Sequence, residues 1–114
     1  MNNLQTTRKQ WLEAYYCGNH QRLHNLETQD FVISYNNQFN NMQHRYQHIE
    51  RSVQQGTWQP QRLLEKDLQF NPLSATEYQV SGVACSDTLH LSIEEYWRFE
   101  KDQWRVASLT MLAL

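Results

Sequence analysis

Apolar positions recur with a helical period in the first half of the chain and with an alternating period in the second. Between Leu4 and Tyr16, the residues Leu4, Trp11 and Tyr15 fall within one narrow arc at about 100° per residue, with Lys9 and Glu13 opposite. This spacing predicts a helix. Gly18 suits the left-handed position that closes it, and Asn19 can cap a short helix over His20 to Leu26. Phe31 to Tyr35 is β-branched and aromatic and reads as a strand ended by Asn36-Asn37. Asn40-Asn41 offers a cap for a further helix, in which Met42, Tyr46, Ile49 and Val53 form the apolar stripe and Gly56 the stop.

After Pro60 the texture changes. Leu63 to Phe70, Tyr78 to Cys85, Leu89 to Glu100 and Trp104 to Leu112 read as four strands joined by short turns, so they should pair antiparallel in a meander. The predicted order is α-α-β-α-β-β-β-β. It makes a single α+β domain over residues 1–114, a curved antiparallel sheet wrapped around N-terminal helices.

Composition narrows the function classes. Apolar residues are 39% of the chain, yet four Trp, six Tyr and four Phe supply large rings that can take the place of missing aliphatics. The lost hydrophobicity has become uncharged amide, with 14 Gln and 9 Asn. Net charge is −2 and no basic run exceeds Arg8-Lys9, which argues against nucleic acid as a partner. The first residues lack the charged and apolar regions of a signal peptide, and no apolar run approaches the roughly 20 residues of a membrane helix. Cys17 and Cys85 are expected as free thiols in a cytoplasmic protein, Cys17 packed as a small hydrophobe.

Two stretches resemble a known family. Trp11 to Tyr35, WLEAYYCGNHQRLHNLETQDFVISY, is similar to the opening of nuclear transport factor 2-like domains, where a helix, a Gly-Asp-type break, a short helix and a strand follow in order; here the break is Gly18-Asn19. Tyr96 to Met111, YWRFEKDQWRVASLTM, resembles the closing hairpin of the SnoaL-like members. The resemblance implies a cone with an apolar pocket between sheet and helices, and a homodimer formed through the outer sheet face. It does not imply one activity, since such domains include isomerases, cyclases, dehydratases and non-catalytic binding or assembly modules. The ketosteroid isomerase-like catalytic set is not matched. Its general-base Asp falls on Tyr35 and its oxyanion-stabilising Tyr on Trp11, with Tyr15 reachable only by a one-turn shift.

Strand parity gives a candidate lining. Leu91, Ile93, Glu95, Trp97 and Phe99 share a face, and pairing Phe99 with Trp104 adds Val106, Ser108 and Thr110 to it. Glu95 would then sit opposite Ser108 on an apolar surface, where desolvation suits a general acid/base; a local bulge that turns it to solvent is the competing expectation. Trp11, Tyr15, Tyr35, Tyr46, Trp58 and Trp97 complete an aromatic pocket for a small apolar or aromatic ligand, or else simply fill the core. Val83, Tyr96, Leu109 and Met111 are expected on the outer face, as the dimer surface. His20/His24 and His44/His48 have metal-like i, i+4 spacing but no third ligand, so neither metal nor cofactor is expected. The leading expectation is a small-molecule binding domain. The alternatives are a cofactor-free isomerase, cyclase or hydrolase using Glu95, and a homodimeric assembly module.

Overall fold

The computed structural model describes residues 3–40 and 42–114, with side chains from 44 onward in the second segment. Asn41 as a helix cap and the Met42 side chain in the apolar stripe lie outside the described residues. Three helices, α1 (Leu4–Cys17), α2 (His20–Leu26) and α3 (Met42–Gln54), accompany six strands. These are β1 (Glu27–Tyr35), β2 (Gln38–Asn40), β3 (Leu64–Ser74), β4 (Glu77–Cys85), β5 (His90–Glu100) and β6 (Gln103–Ala113).

α1 ends as its sequence dictates. Gly18 takes φ 74°, its N–H and that of Asn19 return to Tyr15 and Ala14, and Asn19 Oδ1 accepts from the Arg22 N–H at 3.0 Å. Glycine is needed for space as well as conformation. A Cβ at position 18 would stand 2.4 Å from Val53 Cγ2 and 2.7 Å from Trp58 Cδ1.

The sheet is mixed and open, in the order β2-β1-β6-β5-β4-β3. β3 to β6 form the expected antiparallel meander, but β6 then pairs parallel with β1. The parallel joint is a correction to the all-antiparallel sheet, and the long excursion through β2, α3 and β3 to β5 supplies the crossover it requires. β2 is an addition. Asn36 and Asn37, at φ 48° and 69°, form the primed type of two-residue turn that folds β2 back on β1, with Tyr35 opposite Gln38. β3 also runs past its predicted end through Pro72, which the edge strand tolerates.

A second correction concerns β6. Phe99 faces Trp104 and Trp97 faces Val106 as anticipated, but Tyr96 faces Ser108, so Ala107 is an extra residue. This bulge inverts the parity of the rest of the strand. Leu109 lies opposite Glu95 and Met111 opposite Ile93, packed on the core, while Ser108 and Thr110 join Tyr96 and Glu94 outside. The bulge sits in β6 and not in β5, so Glu95 remains inside and 2% exposed.

The core lies between α1, α2, α3 and the inner sheet face. Leu4, Trp11, Leu23, Leu26, Phe31, Ile49, Val80, Trp97 and Val106 are its centre. Rings meet there edge to face, Trp11 with Trp97 at 5.5 Å and with Phe31 at 6.3 Å between centroids.

Candidate functional site

Arg8 occupies the position on α1 between Leu4 and Trp11 and is buried with them. Its guanidinium binds two carboxylates. Nε and one terminal nitrogen each donate to Glu95 of β5 at 2.8 Å, and the terminal nitrogens donate to Glu65 of β3 at 2.5 and 2.9 Å. Trp97 Nε1 donates to the same Glu95 at 2.8 Å. Burial opposes the charge on Arg8, and its hydrogen bonds to Glu65 and Glu95 more than compensate, so the proton is held more firmly than in a free arginine. Glu95 is thus an ion-paired carboxylate with both oxygens hydrogen-bonded.

A second cluster surrounds Glu27, where α2 passes into β1. This buried carboxylate accepts from Trp11 Nε1 at 2.8 Å, from Arg45 at 2.9 and 3.0 Å and from the Tyr46 hydroxyl at 2.5 Å. Burial first, and then the adjacent Glu27 charge, push the Tyr46 phenol above its usual range. Burial likewise raises Tyr15, against the opposing pull of Arg45. Trp11 and Trp97 meet edge to face between these clusters, and each donates its indole N–H to one of them.

Of the nine expected lining residues, Trp11, Tyr15, Tyr46, Trp58, Glu95 and Trp97 pack in or against this core. Trp58 donates to the Tyr15 carbonyl at 2.8 Å and stacks edge to face on its ring at 5.3 Å. The other three do not join them. Ser108 and Thr110 are outside because of the bulge, and Tyr35, at the end of β1, is 36% exposed. Cys17 is exposed, against expectation, and Cys85 is buried. His44 and His48 are exposed as their helix positions implied. No metal-ligand group occurs among the described residues. An open groove of about 650 Å³ runs between the start of β1 and the β5–β6 hairpin, and a depression of about 210 Å³ lies on the outer sheet face.

No family model and no curated protein matches this sequence. Solved structures match over almost its full length. A protein from Cytophaga hutchinsonii described as NTF2-like aligns over 100% of both chains with a TM-score of 0.81 and 13% identity. The fold is NTF2-like. An NTF2-like protein of unknown function in nutrient uptake from Rhodospirillum rubrum aligns over 99% of both chains, at TM-score 0.75 and 15% identity. A putative Ca/calmodulin-dependent kinase II association domain from Exiguobacterium sibiricum covers 98% of this chain and 91% of its own, at TM-score 0.75 and 12% identity. No described helix is long and apolar enough to cross a membrane.

Within this NTF2-like cone the polar chemistry is carried largely by residues that sequence reasoning passed over. Arg8, Glu65, Glu27 and Arg45 join Glu95 in the interior. One signal was present for Arg8, which completes the Leu4, Trp11, Tyr15 stripe at i, i+4, i+7 and i+11. Glu27 had none, lying between the predicted end of one element and the start of the next. Glu65 shares its face with Leu63, but that face was not followed across to Arg8.

Proposed function

We propose that this chain is a non-catalytic assembly module of the NTF2-like fold that acts through the outer face of its sheet, where two copies pack sheet to sheet. The observation that carries this reading is the outer face left by the β6 bulge. Its central strand offers Ser108 and Thr110, flanked by Val32 on β1 and by Ser92, Glu94 and Tyr96 on β5. A solvated sheet face usually carries long polar side chains. Short hydroxyl residues instead let a second sheet approach to the roughly 10 Å of packed sheets. Val32 and Leu112, each about two-fifths exposed, stand on the same face with Val83 and supply apolar contact. A self-complementary patch paired about a two-fold axis is the commonest form of homo-oligomer. The interior supports the reading from the other side, since Trp11, Tyr46, Glu95 and Trp97, expected to line a pocket, are hydrogen-bonded within it. The solved structure described as a kinase association domain lends it a precedent in fold alone.

A second reading, small-molecule binding of the SnoaL-like kind, draws on Glu65. Its side chain is 24% exposed, the most open member of the Arg8 cluster. A ligand carboxylate entering there displaces Glu65 and takes over its bonds to Arg8.

Sedimentation velocity between 1 and 100 µM tests the first reading. The expected result is a dimer that Thr110→Arg converts to a folded monomer. A wild-type monomer over the whole range would overturn it. A thermal-shift screen with aromatic and carboxylate compounds tests the second, which requires a carboxylate compound that stabilises wild type and stabilises Glu65→Gln more, since the competing carboxylate is gone.

A further inference from the structure

We infer that the groove between β1 and the β5–β6 hairpin is a binding site for a small molecule carrying an oxyanion group, a carboxylate or a phosphate. Arg98 and Arg105 line it and stand directly opposite each other on adjacent strands. Like charges in that relation are destabilising unless an anion lies near both. Asp30 does this for one of them, accepting from Arg98 at 2.6 Å. Among the described residues Arg105 bonds the Asn25 carbonyl and no carboxylate. The Nε–H groups of both arginines are shielded from solvent and have no acceptor among the described residues. Orphaned donors of this kind are uncommon in folded proteins and need a partner.

The charge around the groove leaves room for one. Glu27 lines it but is committed to Arg45, and Asp30 is committed to Arg98 and Thr28. Glu100 remains on the acidic side, against Arg105 and the exposed Lys101 at the hairpin tip. The balance is one surplus cation beside a guanidinium whose planar fork matches an oxyanion. A groove of about 650 Å³ is in the range that holds a metabolite-sized molecule. The groove lies at the hairpin end of the same sheet face, where Arg98 follows Glu94 and Tyr96, so the titration is run on wild type and on Thr110→Arg and separates anion binding from self-association.

The test is a titration of the full chain with sodium phosphate and, separately, sodium succinate at constant ionic strength, followed on the arginine Nε–H NMR signals. The exposed Arg51 on α3 is the internal control. The expected result is a saturable shift of the Arg98 and Arg105 signals, with affinity reduced at least tenfold in Arg105→Gln. Saturation by phosphate alone assigns a phosphate group, and by succinate alone a carboxylate. Should Arg105→Gln fail to fold, Lys101→Gln serves, with affinity reduced about threefold. Shifts that stay linear and equal to those of Arg51 in both titrations overturn the proposal.

Discussion

A buried charge is tolerable only where its partners come with it, and Arg8 shows how far away they can be. Glu65 lies 57 residues along the chain and Glu95 lies 87. That distance is why Arg8 and Glu65 were not legible as core members, although the aromatic residues and Glu95 were. Trp11 and Trp97 declare themselves by periodicity, whereas an arginine on an apolar stripe is read as a surface residue until its carboxylates are seen. Losing both carboxylates would strand a buried cation, which typically costs about 3–5 kcal/mol, whereas losing one leaves Arg8 paired with the other. Tyr46 has its own signature in pH. Its folded-state proton is held above the ordinary phenol value of about 10, so the folded chain binds more protons than the unfolded one just above that value. The stability this contributes is intact below pH 10 and is lost as pH rises through the raised value. Urea midpoints at pH 8 and pH 11 should therefore fall less in Tyr46→Phe than in wild type. Equal falls would mean that Tyr46 does not carry the effect.

At the scale of elements, one residue in β6 decides which half of a strand faces water. Alternation was read correctly from Trp104 to Val106, and Phe99 was placed opposite Trp104 as the structure has it. Beyond Ala107 the same rule gave the wrong face, because a bulge leaves no trace in an alternating pattern until the partner strand is known. Removing Ala107 should join Val106 directly to Ser108 in regular pairing, with Ser108 and Thr110 still outside and Leu109 and Met111 still on the core. The expected outcome is that cooperative thermal unfolding, measured by circular dichroism, is kept. Loss of cooperativity would show that the bulge itself is needed, and not only the register on either side of it. β2 was missed for a different reason. Three residues are too few to show a period, and Asn36-Asn37 was legible as a stop but not as a hairpin.

For the whole molecule, Trp11 and Trp97 with their carboxylate partners stand between the helices and the sheet, and removing one ring tests whether the cone is closed. Trp97→Ala removes a fully buried ring, at an expected cost of about 3–5 kcal/mol in urea unfolding. It should also create a cavity that binds indole, seen as a thermal shift absent from wild type. Indole stabilising wild type equally would instead mean that the cone is already open. The place of β6 in the sheet bears on the order of assembly. It lies between β1 and β5, so until it emerges the β1–β2 hairpin and the β3–β4–β5 meander are two half-sheets with no strand to join them. During synthesis each half presents an unpaired edge, a template for pairing with other chains. Translation that stalls before Gln103 would therefore release an aggregation-prone species, and shielding by a chaperone matters most in the interval before β6 leaves the ribosome.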